Sequence, residues 1–201
     1  MKIIPPLREL RWLTMTVQSR TVRRSSRRSL EGVAIVSPNR LIIVLMQRRN
    51  TEFRKAPNTT FFTIGYQAHS LESLICSLNE NGVQTLIDVR QNPCSRKAGF
   101  SKRRLQDAIT QAGMKYLHNP GLGTPPRIRD MYRSTGDIVE VLAEYDRHLS
   151  SNMEAVESLA QMALSTKVCL LCLEQDHNMC HRGIIARKLC EMTRWKPIHL
   201  I

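Results

Sequence analysis

From Phe61 to Ile201 short apolar runs alternate with amphipathic stretches. This is the signature of βα units, because a strand covered on both faces reads as an uninterrupted apolar run while its crossover helix shows a single apolar stripe. FFTIG reads as a first strand. Ser70 is placed to cap a helix with Glu72 and Ser73 in its first turn, with Leu71, Leu74, Ile75 and Leu78 on one face and a stop at Asn81-Gly82. VQTLIDV follows as a second strand. Ser101 then caps a helix carrying Leu105, Ala108 and Ile109, and Gly113 closes it ahead of a third strand, MKYLH. Beyond the Gly/Pro-rich loop NPGLGTPP, one or two helices fall between Asp137 and Leu164. KVCLLCL is a fully apolar strand, a helix runs from about Cys180 to Met192, and PIHLI ends the chain. The pattern predicts one α/β domain over residues 59–201, with a mostly parallel sheet and helices on both faces.

Residues 1–58 sustain no such pattern. Their Arg-rich, Ser-rich, acid-poor run from Arg20 to Ser29 lacks the apolar surface to fold alone and reads as disordered. Three accounts of this leader stand: a transit or nucleic-acid-binding tail, a non-functional extension, or upstream sequence preceding a true start at Met46. Charge alters the picture here. The chain carries a net +13, but 13 Lys+Arg against 3 acids in residues 1–58 give +10, leaving 17 against 14 for the rest. The basicity that suggests nucleic-acid binding therefore belongs mainly to the leader. The longest apolar run, Leu41 to Met46, is far short of the roughly 18–20 residues that span a bilayer, so no membrane association is expected. Six irregularly spaced cysteines without a secretory signal point to free thiols and a cytoplasmic location.

In an open parallel sheet, ligands bind beyond the carboxyl ends of the strands. Thr63, Gly65 and Tyr66 end the first strand, Asp88 and Arg90 the second, His118 the third, and Cys172 and Glu174 the penultimate one. Cys180, His181 and Arg182 begin the last helix, where unpaired backbone N–H groups and a partial positive charge would bind an anion or depress a thiol pKa. Arg90, Arg96, Lys102 and Arg103 trace a basic path through the loop QNPCSRKAGFSK into the second helix, with Phe100 as a stacking surface for a base. The same residues also admit a structural reading: Cys180 as a buried filler, and Arg182 paired to Asp88 or Glu174. Cys169 and Cys172 lie three apart on a strand and face opposite ways, so they do not form a metal-binding pair. A site of Cys172, Cys180 and His181 lacks an evident fourth ligand, so neither metal nor cofactor is expected. Cys76, Cys169 and Cys190 fall on apolar stripes and are expected in the core.

Together the segments FFTIGYQAHSLESL, LIDVRQNPCSRKAGFSKRRL, GMKYLHNPGLG and CLLCLEQDHNMCHRGIIARKL resemble domain-of-unknown-function family 488, found in bacteria and archaea, over Phe61 to Ile201. The resemblance implies a Rossmann-like α/β fold and supports Arg90, Glu174, Cys180, His181 and Arg182 as site positions. It supplies no reaction, and the family has no counterpart to residues 1–58.

The expected function is an enzyme acting on a phosphorylated, nucleotide or nucleic-acid substrate. Thr63, Gly65, Tyr66, Asp88, Arg90, Arg96, Lys102, His118 and Arg182 would hold the anion, and Glu174, Cys172, Cys180 and His181 would supply the chemistry. The alternative is a non-catalytic nucleotide- or nucleic-acid-binding module using the same pocket.

Overall fold

A computed structural model describes residues 60–201 together with Phe53. The expectations for the leader lie outside these residues. Five strands, β1 (Thr60–Gly65), β2 (Thr85–Asp88), β3 (Lys115–His118), β4 (Val168–Cys172) and β5 (Lys196–Leu200), form one sheet in the order β3-β2-β4-β1-β5. Every pairing is parallel. The helices are α1 (Leu71–Glu80), α2 (Lys102–Gln111), α3 (Pro126–Thr135), α4 (Ile138–Ser150), α5 (Met153–Ala163) and α6 (His181–Thr193). Short 3₁₀ turns follow β1, β3 and β4. No helix among the described residues is long and apolar enough to cross a membrane.

Alternation along the strands sorts two cores. Phe62, Ile64, Leu86, Cys169 and Leu171 face α1 and α2, whose Leu74, Leu78, Leu105 and Ile109 cover them. Phe61, Ile87, Leu170 and Cys172 face the opposite way, under Tyr145, Leu149, Leu159, Ile185 and Leu189. The opposed placement of Cys169 and Cys172 follows from this period of two. β4 lies between β2 and β1 and is buried at all five positions, which is why it reads as a continuous apolar run. Each buried leucine there contributes about 1.5–3 kcal/mol.

The chain leaves β1 through α1 toward β2 and β3, and leaves β4 through α6 toward β5 on the other face. The connections diverge between β1 and β4, and that divergence opens a crevice at their carboxyl ends. Register brings the ends level: Gly65 pairs with Cys172, Asp88 with Leu171, and Asp88 with His118.

Three local expectations change. Pro126–Thr135, within a stretch without an assigned element, is a helix; Pro126 occupies its first turn, where proline costs nothing, and Gly136 stops it in a left-handed conformation (φ 67°). Ile128 is its only fully buried residue, so its apolar signal is weak. Asp137 caps α4 by accepting from the amides of Val139 and Glu140. Cys76 is exposed and Cys190 half-buried, so only Cys169 of the three expected core thiols is fully enclosed. Upstream of the expected boundary at residue 59, Phe53 is buried edge-on to Trp195, whose indole N–H donates to the Phe53 carbonyl (2.9 Å).

Candidate functional site

Two residues past β4, beyond a bend at Leu173, the backbone of Glu174 passes close to Gly65 at the end of β1. The Glu174 carbonyl lies so close to Gly65 that a Cβ there would sit 1.7 Å from the oxygen, so this approach requires glycine. Arg182, 1% exposed, holds this segment to α6 by donating to the carbonyls of Glu174 and Gln175. Its guanidinium is thus turned onto backbone, which corrects both expectations for it: it neither faces a substrate anion nor pairs with a carboxylate.

Cys180 caps α6, its sulfur accepting from the Arg182 amide (3.5 Å). His181 follows, and its Nε2–H donates to the Val89 carbonyl (3.1 Å). Cys172 Sγ lies beside the ring, 3.6 Å from Nδ1 and 3.9 Å from Nε2, and Cys180 Sγ is 4.0 Å from Nδ1. Tyr145 packs its ring edge-on to the imidazole at 5.2 Å, and its hydroxyl donates to the Leu122 carbonyl (2.6 Å). The Cys172 thiol lies 3.2 Å from Glu174 Oε2. Cys172, Glu174, Cys180 and His181 each present one donor atom, and these four atoms lie within 4.8 Å of one another. The fourth donor missing from the sequence reading is Glu174, whose spacing of two from Cys172 places both side chains on one face of an extended backbone.

The cluster polarises its members. Burial would raise the Cys180 thiol, but hydrogen bonds from Cys172 and His181, together with the charges of His181 and Arg182, outweigh it and hold Cys180 well below the ordinary thiol range. The neighbouring Cys180 sulfur, with burial, pushes Cys172 up. Burial and the charge on Cys180 raise Glu174. Burial would lower His181, but the hydrogen bond and charge of Cys180 win and raise it. Cys180 therefore favours the thiolate and Cys172 the thiol, with His181 the imidazole that stabilises the Cys180 charge.

A cleft of about 460 Å³ opens over this cluster. Its walls include Tyr66, Arg90, Arg129, Tyr132, Leu173 and Met179. The Arg129 side chain makes no ion pair or hydrogen bond among the described residues, and its Nε is buried without a partner. Arg133, also on the wall, pairs only with the exposed Asp130. Neither arginine is among the residues singled out from the sequence; their i, i+4 spacing puts both on one side of a helix that lacked a clear apolar stripe.

The remaining predicted residues divide. Arg90 reaches the cleft wall, but its guanidinium is spent: Nε and Nη2 clamp Asp88 (2.8 and 2.5 Å), and Nη1 donates to the Tyr66 hydroxyl (3.1 Å) and the Phe100 carbonyl (3.0 Å). Although burial opposes its charge, the bonds to Asp88 raise the Arg90 pKa further. Tyr116 completes the network by donating to Asp88 (2.6 Å). Phe100 is fully buried and stacks on Tyr66 at 4.5 Å, so it is not available to stack on a base. Thr63 is buried beside β5, 2.8 Å from His199 Nδ1. His118 lies between Lys102 (3.3 Å) and the Arg90 carbonyl (2.9 Å), away from the cleft. Arg96 lines a separate shallow hollow with Lys97, Arg103 and Arg104. Asp88, Arg90, Tyr66 and Phe100 thus anchor the loop that borders the cleft, while the basic path lies apart from the sulfur cluster.

Comparison with known proteins adds one relationship: the family model described as Domain of unknown function DUF488 matches residues 70–189. No curated protein and no solved structure matches the chain.

Proposed function

The chain belongs to the DUF488 family, and from that premise we propose that it is an enzyme, a hydrolase or transferase, acting on a phosphorylated or nucleotide substrate. One observation carries the reading: an unpartnered guanidinium, Arg129, and a four-donor cluster of Cys172, Glu174, Cys180 and His181 face the same cleft. Clefts of a few hundred Å³ with an apolar wall and a few convergent polar groups are the usual setting for small-molecule chemistry. Arg129 and Arg133 supply the charge and fork geometry that match phosphate oxygens. Tyr132, Leu173 and Met179, all exposed at the cleft, offer surface to a base or other apolar part. Glu174 is the candidate general acid or base, and Cys172 and Cys180 the candidate sulfur donors.

A non-catalytic nucleic-acid-binding role has its own support in the hollow of Arg96, Lys97, Arg103 and Arg104. A panel of nucleotides, phosphorylated metabolites and short oligonucleotides tested by thermal shift and turnover separates the two. The enzyme reading expects Arg129→Ala to weaken a small phosphorylated ligand ~10-fold or more, as loss of a hydrogen bond to a charged group costs about 1.5–3 kcal/mol. Binding only of oligonucleotides, lost on Arg103→Glu and unchanged in Arg129→Ala, would replace it with the binding module.

A further inference from the structure

We propose that Cys172, Glu174, Cys180 and His181 form a binding site for a divalent zinc-class metal ion. This departs from the expectation of no metal, and its reason is the Glu174 carboxylate, which lies beside the Cys172 sulfur and adds a fourth donor to three already converging.

Geometry carries the assignment. A tetrahedral ion with ligand bonds of about 2.0–2.3 Å sets its donor atoms about 3.4–3.8 Å apart. The donor spacings here are 3.2 Å between Cys172 Sγ and Glu174 Oε2, 3.6 Å between Cys172 Sγ and His181 Nδ1, and 4.0 Å between Cys180 Sγ and His181 Nδ1. All four atoms fall within 4.8 Å of one another, so side-chain adjustments of under about 1 Å close them around one ion.

The surroundings are those a metal ligand set requires. A metal-binding imidazole characteristically donates its other N–H to a carbonyl or carboxylate, which fixes the tautomer and aims the free nitrogen at the ion. His181 meets the first part of this: Nε2 donates to Val89 and leaves Nδ1 to coordinate, and because Cys172 Sγ lies 3.6 Å from Nδ1 and 3.9 Å from Nε2 the ring must turn to aim Nδ1 at the ion. A metal-bound thiolate is stabilised by amide donors, and the Arg182 N–H points at Cys180 Sγ from the first turn of α6. The ring of Tyr145 flanks the imidazole.

Metal binding displaces the protons that thiol and carboxyl donors hold in the free protein. The Nη groups of Arg182 are committed to the carbonyls of Glu174 and Gln175 rather than to the four donor atoms. Two sulfurs, one imidazole and one carboxylate select zinc or cobalt(II) over magnesium or calcium, which take oxygen ligands. Glu174 is the ligand nearest to the role of a displaceable fourth, because it is half-buried at the cleft while both cysteines are buried.

The inference shares residues with the proposed enzyme but does not depend on its substrate. The test uses the full, untagged chain, reduced, freed of metal with a chelator and titrated with Co²⁺ and Zn²⁺. About one equivalent of Co²⁺ should bind, with the sulfur-to-cobalt charge-transfer absorption and the intense visible bands of a four-coordinate site, and Zn²⁺ should bleach both. Cys172→Ser and Cys180→Ser should each lose the charge-transfer intensity. If those variants fail to fold, alkylation of the native protein decides: bound Zn²⁺ should shield two thiols that chelation exposes. Absence of the charge-transfer band in the native chain, or no difference in alkylation with and without Zn²⁺, overturns the site. Nucleotide-induced thermal shifts measured on the same metal-free protein report separately on Arg129. A cobalt spectrum without any such shift would sink the substrate reading alone, and the reverse would sink only the metal.

Discussion

Asp88→Asn is expected to destabilise the protein severely without acting on the cleft's chemistry. Asp88 is fully buried and accepts from Arg90 Nε and Nη2, from the Tyr116 hydroxyl, and from the Arg90 amide (3.1 Å). An asparagine is nearly isosteric, but it replaces a charged acceptor with one neutral acceptor and two donors. The guanidinium of Arg90, 6% exposed, then remains buried without a counter-charge. Breaking one partner of a buried pair costs about 3–5 kcal/mol, far above the value of a surface pair. For a domain of this size that corresponds to roughly a 6–20 °C loss in melting temperature. Two-state urea unfolding of the full chain measures it, with Arg133→Ala as a control, because the exposed Arg133–Asp130 pair should contribute under about 1 kcal/mol. Once a ligand is known, its affinity per folded molecule should be nearly unchanged, since Arg90 holds the loop through Phe100 and not the ligand. An Asp88→Asn protein within about 1 kcal/mol of the wild type would refute the clamp and return Arg90 to the list of substrate-binding groups.

Stability should fall steeply on the alkaline side: burial raises Tyr116, Tyr145 and Cys169 above their ordinary values, so the unfolded chain releases these protons first. Each group then contributes a loss of about 1.4 kcal/mol per pH unit once pH exceeds its unfolded value, near 9–10, and Tyr145→Phe should flatten the slope by one such increment; an unaltered slope would count against it. Gly65→Ala should displace the Glu174 backbone, lowering stability by about 1–3 kcal/mol and separating Glu174 from the sulfurs, and wild-type melting together with wild-type metal uptake would contradict that. Phe53→Ala should cost about 3 kcal/mol through loss of the Trp195 contact, so a chain shortened to begin at residue 60 should melt below the full chain; equal melting would show that Phe53 adds nothing.

The strands and four of the six helices are legible in the sequence because their signals are local. β4 is apolar throughout as it is covered on both faces, Ser70 caps α1 by accepting from Ser73, and positive-φ glycines lie just beyond α1, α2 and α3. α3 escapes notice because only Ile128 is fully buried and the rest of its surface is charged or half-exposed. The region between Asp137 and Leu164 shows apolar spacing, but its division into two helices at Ser151-Asn152 carries no Gly or Pro.

At the site, sequence alone determines that Cys172, Glu174, Cys180 and His181 stand at a strand end and a helix start, since both follow from periodicity. What only the tertiary structure decides is which way each side chain is committed. Arg90 and Arg182 are prominent in the sequence, yet both are buried, with Arg90 bonded to Asp88, Phe100 and Tyr66 and the Nη groups of Arg182 bonded to the carbonyls of Glu174 and Gln175, while its Nε has no partner among the described residues. Arg129 carries no motif, but it is brought to the cleft with a donor unpaired. The path of the backbone at Glu174 depends on a close approach to Gly65, a contact between residues more than a hundred positions apart. Hydrophobic period encodes faces of elements; the pairing of polar groups across elements depends on where those faces come to rest, and that is fixed only when the sheet order is assembled.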